Sequence, residues 1–231
     1  MSGVVLNAAS LLVAALWGAG LGGTLSARRQ HQVRLLLTVL TVLTGLAIMV
    51  SVLPMRPAGA AWLLVMGIAG LGLGSLIGHL FGFQRRLSAL LAWASAGRSP
   101  AGTGFPAEAV IFAVNPLGLA GSVLAGWTGD WRLLALKSLL DALAAHGMAA
   151  AGSRTVALAA IPLLALQGTL AVAATAASRR FPDPALGAAL AIAAGLILLT
   201  AVPVVLGVRR VPLANYLPSL ALTPLLAMIW R

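Results

Sequence analysis

Two residues in this chain have the type and spacing for chemistry inside an apolar helix. Lys137 and Asp141 stand four apart in the run Asp130–Ala151, which is otherwise mostly Leu and Ala. Lys137 is the only lysine, and Asp141 is one of 4 acidic residues. Four residues make about one helical turn, so the two side chains share a face, with Asp130 falling nearly in line at the start of the run. An ionisable group in hydrocarbon costs roughly 3 kcal/mol on insertion scales. Such a pair needs a partner, water or a task. One reading makes Asp141 a proton- or ion-coupling carboxylate, with the ammonium of Lys137 setting its affinity. The other makes the two a buried ion pair that fixes helix register. Lysine preceding aspartate is the weaker order for helix stability, so local stabilisation alone is a poor reason for it.

The remaining candidates are polar or helix-breaking residues in apolar runs. Asn115-Pro116 interrupts the run from Pro106 to Trp127. Proline removes one backbone donor and displaces the carbonyl four residues back, here that of Phe112. With Gly118 and Gly121 following, this stretch reads as an unwound segment offering carbonyls to a solute or cation, or as a plain kink. Asn7 in the first run echoes Asn115, which reads either as a short trace of an internal repeat or as coincidence. Pro162 with Gln167 and Gly168 suggests a second broken helix, with Gln167 lining a cavity or bonding to a neighbouring helix. Ser138 completes the set beside Lys137, but adjacent residues point about 100° apart on a helix, so a Ser-Lys dyad is a weak prospect. Asp130, after Gly129, reads first as a helix N-cap, and Glu108 as a complement to a helix N-terminus. His146 lies off the Lys137–Asp141 face, and His79 falls close to Arg85-Arg86, near an interface.

The elements holding these residues are membrane spans. The 231 residues are 61% hydrophobic and 8% charged, with a mean hydropathy of +1.03. A soluble domain carries about a quarter charged residues. The apolar runs are continuous and about twenty residues long, as helices require, rather than alternating as in a barrel. The fold class is therefore all-α, a polytopic membrane protein of seven or eight spans. They run at about 4–24, 35–53, 60–83, 106–127, 130–151, 155–177, 185–208 and 212–230, the last an eighth span or a re-entrant segment. Residues 84–97 have one apolar stripe and two arginines, as an interfacial helix does. We divide the chain into an N-terminal three-helix half (1–83), an interfacial helix and linker (84–105), and a C-terminal half of four or five helices (106–231), forming one membrane domain.

Gly70, Gly74 and Gly78 form a small-residue face for close helix packing, and Gly18 and Gly22 a shorter one. These faces suit a homodimer or packing within one chain. The formal charge of +11 does not indicate nucleic acid, because the arginines lie in pairs and singles between spans rather than in one stripe. They are orientation signals, richest in the loops after spans one and three, which places those loops in the cytoplasm and the N-terminus outside. The chain has no cysteine, three histidines and no HExxH or Walker motif, so no enzyme chemistry, metal or cofactor is expected. The expected partners are the lipid bilayer and a small solute or ion.

Several segments in the same order resemble one family of bacterial inner-membrane proteins of unknown function, typified by YqgA and YdfK. They are Gly3-Val4-Val5-Leu6-Asn7, the stretch Ala109 to Ser122, Gly129-Asp130, Leu136 to Asp141, Ala160 to Leu163, Gln167-Gly168 and Asn215-Tyr216-Leu217-Pro218. The chain departs from the family pattern at Asn115, Ala125, Leu166 and Val204. The resemblance implies a multi-span inner-membrane fold and supplies no substrate.

Overall fold

The structure is a computed structural model that describes residues 1–20, 23, 26–53, 59–95, 105–153 and 155–229. Gly22, residues 54–57, the 98–104 linker and Arg56, Arg98, Arg154 and Arg231 lie outside the described residues. Eleven α-helices are described: α1 (Ser2–Gly20), α2 (Ala27–Val52), α3 (Ala60–Leu80), α4 (Phe83–Ser95), α5 (Phe105–Ala113), α6 (Pro116–Thr128), α7 (Arg132–Ala150), α8 (Ala160–Arg180), α9 (Pro184–Thr200), α10 (Val202–Leu206) and α11 (Ser219–Ile229). Single 3-10 turns cover Val156–Ala159 and Leu213–Tyr216. No strand occurs among the described residues.

Among the described residues, six helical segments are long and apolar enough to cross a bilayer, and seven if α5 and α6 count as one. The segment Leu213–Ile229 is shorter, and an eighth crossing would have to be this one. The large apolar side chains left outside the core, such as Val13, Trp17, Leu36 and Ile68, are what lipid-facing surfaces require, because hydrocarbon solvates them as well as protein does.

Close approaches at glycine fix how the helices run. Gly3 faces Trp131 and Leu134 while Gly18 faces His146 and Ala149, so α1 and α7 are parallel. Gly118 meets Gln167 and Gly126 meets Ala171 and Ala174, so α6 and α8 are parallel too. Gly70, Gly74 and Gly78 lie on Thr223, Ser219 and Asn215, which makes α3 and α11 antiparallel. Gly45 faces Leu199 and Gly195 faces Met49, so α2 and α9 are antiparallel. The glycine face of α3 is thus filled within the chain. So is that of α1 at Gly18, where a Cβ would stand 2.5 Å from the His146 carbonyl oxygen.

These directions settle the α5–α6 pair. The two axes differ by 49°, so the chain bends and continues forward. A re-entrant loop would reverse α7 relative to α1, and the two are parallel. The pair is one broken crossing. Pro162, by contrast, does not break its helix. It occupies the first turn of α8, just after the 3-10 turn, where a missing backbone donor costs nothing. The helix is continuous through Gln167 and Gly168.

Helix α9 is the axle of the bundle. Its sequence Ala185 to Ile197 is nearly all Ala, Gly, Leu and Ile, and it is buried almost around its circumference. It packs on α2, α3, α6 and α11. Asp183 starts it, accepting from the Ala185 amide at 2.8 Å with Pro184 in the first turn. Helix α4 is amphipathic with Ala94 buried, in keeping with an interfacial position. Its N-terminus is pinned by a reciprocal pair: Gln84 N–H donates to Asn215 Oδ1 (2.8 Å), and Ala214 N–H donates to Gln84 Oε1 (3.2 Å).

The charges divide between the two ends. Arg28, Arg29, Arg34, Arg85, Arg86, Arg209 and Arg210 lie at the end where α2 begins, with Glu108; the other end holds Arg132, Arg179, Arg180, Asp130 and Asp183. We call the first the basic end. Trp62, Trp127 and Trp131 mark the opposite end, and Trp17 and Trp93 the basic one, as in the aromatic belts of membrane interfaces.

The glycine contacts generate a paired test. Gly78→Ala would collide with the Asn215 backbone, whereas a Cβ on Gly72 meets nothing within 4 Å. Gly78→Ala should cost about 1–3 kcal/mol or more and Gly72→Ala nothing measurable, read as the unfolding midpoint of the detergent-solubilised protein.

Candidate functional site

The site is a polar layer where α1, α7, α8 and the α5–α6 break meet. Asp141 is near the midpoint of the 19-residue α7, and Lys137 is one turn earlier. Helical geometry places their side chains on one face, and packing buries both: side-chain exposure is 1% for Lys137 and 7% for Asp141. Lys137 Nζ donates to Asp141 Oδ2 in a direct ion pair. Neither charge reaches the surface of the molecule, so the energetic demand read from the sequence stands.

Asn7 enters from α1. Its Nδ2 donates to Gln167 Oε1 at 3.1 Å, and its amide also faces the Asp141 carboxyl. Its oxygen, Oδ1, is buried without a hydrogen-bond partner. Gln167 comes from α8 and is fully buried. Its Nε2 donates at 3.5 Å to the carbonyl of Phe112, the carbonyl that Pro116 displaces. Gly118 completes the contact, since a Cβ there would collide with Gln167 Nε2 and stand 3.5 Å from Lys137 Cε. The break in α5–α6 is built by Asn115, whose backbone is extended (ψ 130°) and whose Oδ1 caps α6 by accepting from the Leu117 amide at 3.0 Å. Pro116 then opens α6 with a pre-set φ.

Of the residues singled out by sequence, Asn7, Gln167, Lys137 and Asp141 converge, with Asn115 and Pro116 shaping the backbone beside them. Two do not join. Ser138 is buried, but its hydroxyl donates to Ala135 O of its own helix at 2.7 Å. Asp130 is not on the Lys137–Asp141 face at all, because α7 begins at Arg132. It accepts from the Arg132 amide (3.0 Å) and pairs with the Arg132 guanidinium at 2.5 Å. That guanidinium also donates to Ala47 O and Ser51 Oγ of α2, so this pair tethers α7 to α2 at the end away from the basic one. His146 lies off the polar face, and His79 is exposed, with Nδ1 2.8 Å from Ser75 O.

Glu108 carries more than the sequence suggested. It sits in the first turn of α5, where it suits the helix dipole. It is also fully buried, and it accepts hydroxyl hydrogens from Ser153 and, at 2.7 Å, Thr155. It therefore holds the α7–α8 connection against α5. No local pattern reveals this, because the partners are more than forty residues away.

The layer is bounded by apolar packing on both sides. Toward the basic end lie Leu11, Phe112, Ala145 and Leu163; toward the other end lie Val4, Leu134, Ala125 and Ala171. Along the chain α1 and α7 pass from the far layer to the basic one (Val4, Asn7, Leu11; Leu134, Asp141, Ala145), and α8 and α5–α6 pass the opposite way (Leu163, Gln167, Ala171; Phe112, Gly118, Ala125). Among the described residues, no three His, Cys, Asp or Glu side chains gather as a metal cluster.

Comparison with known proteins now adds the family. The family model described as "Protein of unknown function (DUF554)" matches residues 2–228. The chain belongs to this family. It is 31% identical to "Uncharacterized protein YqgA" of Escherichia coli (strain K12), across 99% of this chain and 97% of that one. It is 24% identical to "Uncharacterized membrane protein YdfK" of Bacillus subtilis (strain 168), across 71% of each. No solved structure matches the chain. The relative named as a membrane protein and the apolar helices agree that this is a membrane protein.

The buried pair predicts non-additive mutants. Lys137→Met or Asp141→Leu alone leaves an uncompensated charge, costing about 3–5 kcal/mol, while replacing both partners by apolar residues is near neutral. The double mutant should unfold in detergent at a higher temperature than either single mutant.

Proposed function

We propose that the protein moves an ion or small solute across the membrane, with the polar layer as its binding or coupling site. Asp141 carries the exchangeable charge, Lys137 balances it, and Asn7, Gln167 and the Phe112 carbonyl line the site. The observation that carries this reading is the buried Asn7 Oδ1, an acceptor without a donor at a broken helix. A buried unsatisfied acceptor costs about 1–3 kcal/mol, and a water, cation or solute donor would relieve it. Broken helices with small residues beside them form midplane sites in secondary transporters. The apolar layers on either side would act as two gates, both closed. On this reading the arginine-rich end faces the cytoplasm of the inner membrane and the N-terminus lies outside.

A second reading is favoured by the packing itself. Both charges are paired, the α3 glycines and Gly18 are filled within the chain, and the layer is dense. A non-transporting scaffold needs no more than that. Assembly as a homodimer belongs with this alternative, on surfaces other than those glycines.

The absence of native cysteine allows a test that needs no known substrate. Asn7→Cys places one thiol in the layer. If the gates open alternately, a small charged thiol reagent should label it from either membrane face, and substitution of Asp141 by Asn should change the pH dependence of that labelling. Complete protection from both faces, with the Lys137→Met/Asp141→Leu protein fully functional in cells, would favour the scaffold and remove transport.

A further inference from the structure

At the basic end, a cavity of about 540 Å³ opens between α2, α7 and α10. It is graded along the membrane normal. Gln30 and Arg34, in the first turns of α2, stand at the end of the molecule, while Leu37, Leu140 and Leu143 lie deeper toward the midplane, with Val205 on the α10 side. The grade matches one phospholipid of that leaflet, headgroup outward and chains inward.

Charge supplies the second argument. The chain has 4 acidic residues. Asp130 and Asp183 are at the opposite end, Asp141 is paired to Lys137, and Glu108 is buried against Ser153 and Thr155. Seven described arginines therefore face the basic end with almost no counter-charge from the protein. Arg34 reaches across to α10, where its Nη1 stands 3.1 Å from the place a Cβ would take on Gly207, two residues before Arg209-Arg210. Basic pockets between membrane helices on the arginine-rich side recognise anionic headgroups. We propose that this cavity binds one anionic phospholipid, its phosphate at Arg34 and its acyl chains against Leu37, Leu140 and Leu143.

The test titrates the full-length protein in neutral detergent with phosphatidylglycerol or with phosphatidylcholine of the same chains, counting bound lipid by native mass spectrometry. Wild type should retain phosphatidylglycerol at least about fivefold more tightly, the factor expected for one arginine near a headgroup. Arg34→Gln should abolish that preference. Leu143→Trp should weaken binding by filling the floor without touching the charge, and Arg179→Gln should leave it unchanged. Equal retention of the two lipids would overturn the proposal. So would an equal loss in Arg179→Gln, which means diffuse attraction, or full displacement of the lipid by millimolar inorganic phosphate, which means a free-anion site.

Discussion

A salt bridge held away from water near the centre of the bilayer is the constraint from which the rest of this architecture follows. Lys137 and Asp141 neutralise one another along a single helix, but a bare pair in hydrocarbon would still lack hydrogen bonds for its remaining donors and lone pairs. The surrounding segments supply polar groups where they can. Asn7 comes from α1, Gln167 from α8, and the carbonyl of Phe112 is freed because Pro116 breaks the helix beyond it. Small residues then make close contact feasible: Gly3 and Gly18 let α1 lie along α7, and Gly118 makes room for the Gln167 amide. Breaks, glycines and polar residues are one device rather than three.

The layered order around that device ties sequence to function. In all four segments an apolar residue, a polar or backbone contact and another apolar residue succeed one another in matching register. Parallel packing of α1 with α7 and of α6 with α8 makes the register possible. A polar stratum closed on both sides suits a carrier caught between openings, and it equally suits a rigid cross-brace. The unmet acceptor of Asn7 is what motivates the first of these readings.

Much of this was legible in the sequence where the signal is local. Continuous apolar runs gave the spans, the Lys137–Asp141 spacing gave the shared face, and Pro116 pointed to Phe112 as the displaced carbonyl. The four-residue glycine spacing on α3 announced a close contact, though not that α11 provides it. Pairings over long distances were not legible. Nothing near Asn7 indicates Gln167, and nothing near Glu108 indicates Ser153 and Thr155. Local rules also misled twice. Asp130 fell in register with Lys137 only if α7 began before Arg132, and Pro162 looked like a break because its place in a first turn depends on a 3-10 turn that periodicity does not show.

The bond from Asn7 to Gln167 spans 160 residues, and that distance has a consequence for biogenesis. At roughly 5–20 residues per second, the ribosome needs on the order of 8–30 s to make the partner after the first helix has emerged. During that interval the Asn7 amide lacks Gln167, and only the later-arriving Asp141 carboxyl can meet it first. Helix α7, in contrast, enters the bilayer carrying its own counter-ion one turn away, so its insertion does not wait on any other segment. The central layer is therefore among the last parts of the molecule to close, after nearly all of its walls have been delivered.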